Sequence, residues 1–194
     1  MYVGEKMKVA ITGHTKGIGK AIADKFISNN CEVVGFSKSS GFDISKEQDR
    51  TNIFNMAKDA DIFVNNAYDP EGQTDLLNKF IEAWEGTGKI IINMSSKASI
   101  CPPEFLPGYE QYIQVKKQQN KIIENRATVD SPKILNILAG LVDTDMASMF
   151  NSAKVNPDDL AELIYTILKM GTKMSIQQLV IDVPNLDWKT IKVK

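Results

Sequence analysis

Residues 12–19 read T-G-H-T-K-G-I-G, and this stretch decides how the chain folds. Three glycines, Gly13, Gly17 and Gly19, come directly after an apolar run at 9–11. Because glycine inside an ordered element costs about 0.5–1 kcal/mol relative to alanine, three of them so close together indicate a sharp turn or a close approach of the backbone to another group. A plain flexible loop is the alternative, and the residues that follow decide between the two.

The residues after the turn have the pattern of a helix followed by a strand. Apolar residues recur at helical spacing from Ile18 to Phe26, and the run at 31–36 is typical of a short buried strand. Strand, glycine turn, helix and strand make a βαβ unit. The helix of such a unit begins with unpaired N–H groups and the positive end of its dipole, so the pattern predicts a dinucleotide site, with a purely structural turn as the alternative.

Length and charge balance bound the function classes. The chain has 194 residues, 23 basic and 24 acidic, with a net charge of −1. We therefore expect one domain over residues 1–194 and no general attraction to nucleic acid or to an anionic membrane surface. No apolar run approaches the roughly 20 residues that cross a bilayer, and the first residues lack the apolar core of a signal peptide. With only Cys31 and Cys101 as thiols, we expect a cytoplasmic protein without a disulfide framework.

The rest of the chain alternates apolar runs with helical patterns. Continuous apolar runs, typical of strands covered on both faces, lie at 61–65, 89–94, 133–138 and 179–183, and a very short strand near Phe42 is a further candidate. Helical spacing is found at 46–58, 74–84, 109–125 and 157–169. This alternation predicts an α/β fold, a single Rossmann-type doubly wound parallel sheet with helices on both faces. Ligands bind such folds beyond the carboxyl ends of the strands, so the residues there are the candidate site residues.

The residues after the second predicted strand bear on the choice of cofactor. A NAD-binding unit usually carries an acidic residue there for the ribose hydroxyls, whereas a basic residue suits the 2′-phosphate of NADP. This chain has Ser37 and Lys38 in that place and no acid, which favours NADP over NAD. Lys16 in the glycine turn is a second candidate for the 2′-phosphate. For both lysines a solvated surface side chain is the alternative.

Polar residues also lie where the later strands end. In isolation, the segment 65–68 (N-N-A-Y) is consistent with a loop, and the pair 95–96 (S-S) is consistent with helix caps. Tyr112 and Lys116 lie four residues apart, on one face of a predicted helix, a spacing that is frequent by chance. The segment 139–144 supplies a glycine turn and a hydroxyl group after the fifth of these strands.

Taken together, these segments resemble the motifs of the short-chain dehydrogenases/reductases, in the family's order along almost the whole chain. The glycine motif T-G-x-x-x-G-x-G matches residues 12–19, and the family's N-N-A-G appears with Tyr68 in place of the glycine. The strand I-V-N-x-S-S appears as I-I-N-M-S-S, and Y-x-x-x-K as Tyr112 and Lys116. P-G-x-V-x-T appears at 139–144 with Ala139 in place of proline, and the family's adenine-contacting acid maps onto Asp43.

The resemblance implies an oxidoreductase that transfers a hydride between NADP(H) and a small carbonyl or alcohol substrate. Ser96 would hold the substrate oxygen and Tyr112 would be the general acid or base. Lys116 would lower the pKa of Tyr112 and bind the nicotinamide ribose. The predicted cofactor contacts, from the strand ends and the resemblance together, are Gly13, Thr15, Lys16, Gly17, Ile18, Gly19, Ser37, Lys38, Asp43, Asn65, Asn66, Ala67, Tyr112, Lys116, Gly140, Val142 and Thr144.

The chain departs from the family pattern in two places that concern function. The family's fourth catalytic residue, an asparagine on a helix before the serine strand, has no clear counterpart, and Asn78 is the candidate. The stretch after Thr144, a substrate lid in relatives, is short. These departures favour a second hypothesis, a non-catalytic NADP-binding regulator with the same fold, whereas the intact Ser96, Tyr112 and Lys116 favour the enzyme.

Two neighbouring side chains compete for catalytic roles. His14, within the glycine turn, suits a variable, solvent-edged position beside the phosphates better than a catalytic base. Tyr109 is followed four residues later by Ile113 rather than by a lysine, which favours Tyr112.

Relatives in the family commonly dimerise or tetramerise through two helices that correspond here to 74–84 and 109–125. A homo-oligomer is therefore a candidate assembly, although the polar run at 116–121 weakens that expectation.

Overall fold

The computed structural model describes residues 7–126, 132–170 and 176–191. Its strands are β1 Lys8–Thr12, β2 Glu32–Phe36, β3 Ile62–Asn65, β4 Ile90–Ser96, β5 Lys133–Ala139 and β6 Gln178–Ile181. Its helices are α1 Gly17–Ser28, α2 Glu47–Ala57, α3 Gly72–Ala83, α4 Glu110–Asn125 and α5 Pro157–Lys169. Each run and periodic segment predicted from the sequence therefore forms its element, with ends that agree to within two residues. Within these ranges no helix combines the length and the apolar character that a membrane span needs.

The six strands form one parallel sheet in the order β2-β1-β3-β4-β5-β6. From β1 the chain first adds β2 on one side and then β3 on the other, so the direction of winding reverses between β1 and β3. In open α/β sheets, ligands bind beyond the carboxyl ends of the strands at such a reversal. The Rossmann-type doubly wound sheet predicted from the sequence is confirmed.

Helices cover both faces of the sheet. α1 and α5 pack on one face, where Ile11, Phe26 and Ile164 are buried. α2, α3 and α4 pack on the other, around Phe63 and Phe80. Because strand side chains are buried on both faces, the strands have continuous apolar sequences instead of alternating ones.

A row of buried asparagines interrupts the apolar face under α3 and α4. Asn65, Asn93 and Asn136 occupy paired positions of β3, β4 and β5. Asn65 Nδ2 donates to Asn93 Oδ1 at 3.0 Å, and Asn93 Nδ2 donates to Asn136 Oδ1 at 2.9 Å. The row pairs the amides of neighbouring strands and ends against α4, where Asn136 donates to Asn120 Oδ1 at 2.9 Å.

The short strand considered near Phe42 does not form. Residues Lys38–Ser40 make a turn of 3₁₀ helix that ends at Gly41, with φ of +89°. Phe42 N then donates back to Ser37 O at 2.9 Å and closes a loop directly after β2. The backbone of this loop is turned back on itself and is not extended as a strand would be.

Candidate active site

The glycine turn joins β1 to α1 at the carboxyl edge of the sheet. Gly13 and Gly17 have φ of +73° and +55°, a left-handed conformation that glycine adopts without a steric penalty. At Gly19 a Cβ would lie 2.2 Å from the carbonyl oxygen of Gly13, too close for any side chain to fit without movement of the backbone. The turn and the close approach predicted from the glycines are therefore both present.

The N-terminus of α1 is open to an anion. Lys16 precedes α1, and its side chain makes no capping hydrogen bond. The first turn of α1 contains no acidic residue. The first N–H groups of a helix have no intrahelical acceptor, and they lie at the positive end of the helix dipole. A phosphate group is the ligand that such an end favours.

Thr12 and Asn66 tie the glycine turn to the end of β3. Thr12 Oγ1 accepts from the backbone N–H groups of Asn66 and Ala67, each at 3.0 Å, and donates to Val64 O at 3.3 Å. Asn66 Nδ2 donates to Thr12 O at 3.0 Å. Asn65 and Asn66 thus hold strands and loops together through their amide groups and backbone.

Four hydroxyl groups cluster beyond the end of β2. Ser37 Oγ lies 3.0 Å from the hydroxyl oxygens of Ser39 and Ser40. Ser39 Oγ donates to Thr15 Oγ1 at 3.4 Å, which links this turn to the glycine loop. The cluster offers hydrogen-bond donors and acceptors beside the open end of α1.

Lys38 lies next to this cluster with 76% of its side chain exposed, and its Nζ is 3.2 Å from Asp43 Oδ2. The pKa of Asp43 lies below its ordinary value, chiefly because the backbone N–H and hydroxyl of Ser45 bond to the carboxylate, with Lys38 adding to the effect. Lys16 reaches in another direction, with its Nζ 3.2 Å from Asp145 Oδ2. Of the two lysines predicted for a 2′-phosphate, only Lys38 has its amine beside the end of β2.

His14 packs inward, contrary to the solvent-edged position expected from the sequence. Its ring lies against Gly35 of β2, where a Cβ would come within 2.2 Å of the ring. Its Nδ1 is buried and has no hydrogen-bond partner among the described residues. Gly35 provides the space for this ring, which no local pattern in the sequence indicates.

A cavity of about 300 Å³ opens at the carboxyl ends of β4 and β5. Its walls come from the start of α1, from α4 and from the segment after β6. They consist of Ile18, Tyr68, Ser95, Ser96, Ala98, Leu106, Tyr109, Tyr112, residues 139–142, Thr144, Met146, Ala147, Phe150 and Trp188. The described lining contains no ionisable group other than the tyrosine phenols, so the cavity suits a ligand that is largely apolar.

Ser96 and Tyr112 meet in the wall of this cavity. Ser96 ends β4 and is 7% exposed, while Tyr112 is half-buried in the first turn of α4. Burial raises the pKa of the Tyr112 phenol, and the hydrogen bond from Ser96 opposes that rise only in part. This direction is opposite to the one expected from a lysine neighbour alone.

Lys116 is buried one turn further along α4. The residue is 3% exposed, and its Nζ donates to Gln73 Oε1 and to Met94 O, both at 2.7 Å. Burial lowers the pKa of the amine from 10.5 to about 7. Burial therefore disfavours the charged form of Lys116, the form that would lower the pKa of Tyr112.

Tyr68, which replaces the glycine of the N-N-A-G pattern, covers Lys116. Its ring is 4.9 Å from that of Tyr112, edge to face, and Lys116 Nζ lies 5.4 Å from the centre of the Tyr68 ring and 5.6 Å from that of Tyr112. The two rings stand between the amine and the cavity, whose described lining does not include Lys116.

Gln73, and not Asn78, is the residue of α3 that reaches the candidate catalytic group. It is fully buried and accepts the hydrogen bond from Lys116, whereas Asn78 lies more than one turn further along α3. The sequence reasoning missed Gln73, because a glutamine in the first turn of an amphipathic helix has the pattern of a surface residue.

The segment after β5 lies against the glycine turn that joins β1 to α1. A Cβ on Gly17 would lie 3.1 Å from Thr144 Cγ2. Gly140 makes room for a second segment, since a Cβ there would lie 2.3 Å from Asp182 Oδ1. Asp182 accepts hydrogen bonds from Trp188 Nε1 and Lys97 Nζ, which holds Trp188 in the cavity wall.

Solved structures with this architecture are numerous. A short-chain dehydrogenase from Burkholderia cenocepacia in complex with NADP superposes with a TM-score of 0.74 at 17% identity, over 91% of this chain and 88% of the other. A 3-ketoacyl-(acyl-carrier-protein) reductase from Brucella melitensis, complexed with NADH, gives 0.74 at 19% identity, over 91% and 97%. An alcohol dehydrogenase from Thermococcus sibiricus with 5-hydroxy-NADP gives 0.68 at 18%, over 92% and 97%.

The chain has the short-chain dehydrogenase fold. No protein-family model and no curated protein sequence matches it. At identities below 20% the short-chain dehydrogenase fold is shared while most side chains differ, so the roles of individual residues rest on the geometry of this chain. Both NADP and NADH occur among these structures, so the likeness by itself does not choose between the two cofactors.

Proposed function

We propose that this chain is a short-chain dehydrogenase/reductase that transfers a hydride between NADP(H) and a small carbonyl or alcohol substrate. The observation that carries the proposal is the meeting of Ser96 and Tyr112 in the wall of an apolar cavity, beside the open N-terminus of α1. A hydroxyl pair in a water-poor cavity is suited to hold a carbonyl oxygen and to exchange a proton with it.

Several features of the chain fit a dinucleotide phosphate. The Gly13–Gly19 contact leaves no room for a side chain, so the backbone of the turn is free to approach a pyrophosphate at the start of α1. Thr144 and Val142 would flank the nicotinamide end, and Asp43 the adenine. Ser37 and Lys38 would bind the 2′-phosphate. The exposed amine of Lys38 would then leave its ion pair with Asp43 and pair with the phosphate.

In the proposed reaction Tyr112 donates the proton that a carbonyl oxygen takes up on reduction. Ser96 donates a hydrogen bond to the same oxygen and keeps it beside the phenol. The Tyr112 phenol is protonated at neutral pH and can therefore act as the donor. Burial raises its pKa and makes it a weaker acid, and the hydrogen bond from Ser96 opposes that rise. Bound NADP(H) would supply the hydride. Leu141, Phe150 and Trp188 would exclude water from the reacting carbon.

A second candidate function is a non-catalytic NADP-binding regulator. The position of Lys116 favours it, because the amine is turned toward Gln73 and Met94 and is covered by the rings of Tyr68 and Tyr112. Unless Tyr68 moves, Lys116 does not reach a nicotinamide ribose.

Two measurements on the purified chain test the proposal and separate it from the regulator. Titration with NADPH and NADH, followed by the fluorescence of the reduced nicotinamide, should show binding, with NADPH the tighter ligand. A screen of small apolar ketones and aldehydes with NADPH should then show loss of nicotinamide absorbance. Binding without turnover across the screen would favour the regulator, and absence of binding to either cofactor would refute both functions.

A further inference from the structure

The Lys116 amine is held by a side chain whose orientation is forced by its surroundings. Gln73 Nε2 donates to Asn65 O at 2.9 Å and to Met94 O at 3.1 Å. Backbone carbonyls only accept hydrogen bonds, so the amide nitrogen has to face the two strands. The amide oxygen of Gln73 is therefore turned to Lys116, which it meets at 2.7 Å.

The row of asparagines fixes Gln73 from the opposite side. Asn65 Nδ2 donates both to Gln73 O and to Asn93 Oδ1, each at 3.0 Å. In the same direction, Asn93 Nδ2 donates to Asn136 Oδ1, and Asn136 Nδ2 donates to Asn120 Oδ1 on α4. Because each amide nitrogen already meets an oxygen, a flip of one amide would place its oxygen against the oxygen of the next amide in the row.

The groups that face the amine come from four elements. From α3 the neighbour is the neutral amide of Gln73, and from β4 it is the carbonyl of Met94. The titratable groups are two phenols, Tyr68 from the loop after β3 and Tyr112 from α4, and burial raises the pKa of both. No carboxylate contributes to the pKa of Lys116 within the described part of the chain.

We propose that Gln73 is a positioning residue of this site, which holds the Lys116 amine against β4 beneath Tyr68 and Tyr112 and thereby controls how readily the amine takes up a proton. Two neutral oxygens stabilise an ammonium ion less than a carboxylate does, so this pair of acceptors leaves the buried amine easier to deprotonate than a carboxylate partner would. Any effect of Gln73 on the rate of hydride transfer rests on the proposed function. The effect of Gln73 on protonation of Lys116 can be measured without cofactor or substrate.

The test is the pKa of Lys116 in the whole protein, followed by NMR of lysine labelled with ¹³C at Cε. The spectrum of Lys116→Met identifies the resonance of Lys116. Gln73→Glu places a carboxylate at the amine and should raise the pKa of Lys116 by about 1–3 pH units, as an opposite charge at this distance does. Gln73→Met removes one of the two acceptors and should lower it.

Gln119→Met is the matched control. Gln119 is also fully buried between α3 and α4, and its amide donates to Thr74 Oγ1 at 3.2 Å instead of contacting Lys116. A purely structural effect of losing a buried glutamine would appear in this variant as well. We expect Gln119→Met to lower the melting temperature and to leave the pKa of Lys116 where it is.

An unchanged lysine pKa in the two Gln73 variants, or equal shifts in Gln73→Met and Gln119→Met, would overturn the proposal. If the variants do not fold, the unmodified protein still decides. The ¹⁵N side-chain amide resonance of Gln73 should shift with the same midpoint as Lys116 when pH is varied, while that of Gln119 should not. Because none of these measurements uses NADPH, a failure here is distinct from a failure of the proposed oxidoreductase, which would appear as missing cofactor binding.

Discussion

The buried amine of Lys116 makes a quantitative prediction about stability. The gap between the ordinary lysine pKa of 10.5 and about 7 in the folded chain corresponds to about 5 kcal/mol, at about 1.4 kcal/mol per pH unit. Between these two values the unfolded chain holds a proton at this lysine that the folded chain has released. The free energy of unfolding therefore rises with pH through this window, and below pH 7 the penalty of burying the charge is present in full.

Replacement of Lys116 by methionine should abolish this dependence. Integrated from pH 6 to pH 9, the lysine contributes a rise of about 3 kcal/mol in the free energy of unfolding, which the variant lacks. Loss of the hydrogen bonds to Gln73 and Met94 adds an offset that does not vary with pH. The phenols of Tyr68 and Tyr112 do not disturb the comparison, since burial raises the pKa of each above 10.

Urea unfolding at pH 6, 7, 8 and 9 measures the effect as the difference between the unmodified chain and Lys116→Met. The control is Lys121→Met, the same change at an exposed position of α4, which should run parallel to the unmodified chain. A difference between the unmodified chain and Lys116→Met that stays constant from pH 6 to pH 9 would refute the reasoning.

Three further changes test the proposed site. Tyr112→Phe should lower turnover by two or more orders of magnitude with little change in NADPH affinity, whereas Tyr109→Phe, in the wall of the same cavity, should retain most of the activity in the same absorbance assay. Gly19→Ala should weaken NADPH binding at least about tenfold in calorimetry, because its Cβ meets Gly13 O. In the control Gly86→Ala the new Cβ meets no atom within 4 Å, so the φ of +71° should cost stability while NADPH binding stays normal. Lys38→Asp should erode or reverse the preference for NADPH over NADH, and equal affinities in the unmodified protein would contradict the assignment of the 2′-phosphate site.

Much of the fold follows from local patterns. The apolar runs and helical spacings locate the strands and helices because burial on both sheet faces and on one helix face leaves its period in the sequence. The glycines at 13, 17 and 19 mark the turn because Gly13 and Gly17 have positive φ and a Cβ at Gly19 would meet the Gly13 carbonyl. Ser96 and Tyr112 were found through a resemblance of motifs, and the parallel sheet brings them together because β4 ends where α4 begins its first turn beside it.

Other features depended on contacts that no local pattern records. Gln73 looked like a surface residue of α3, yet its partner Lys116 lies 43 positions away. Lys116 was expected to lower the pKa of Tyr112. In the structure, burial of Lys116 lowers the pKa of the Lys116 amine. His14 was expected at the solvent edge and packs against Gly35.

By itself, the sequence determined the order of the elements, the parallel doubly wound sheet and the strand ends at which the site lies, because apolar periodicity and glycine turns act over a few residues. Only the tertiary structure decided the environment of each polar group. Lys97 and Asp182, 85 positions apart, meet beside the cavity, and the asparagine row links strands 28 and 43 positions apart. Burial and hydrogen-bond partners set the pKa and direction of a side chain, and in this protein those partners come from segments that only the folded sheet brings together.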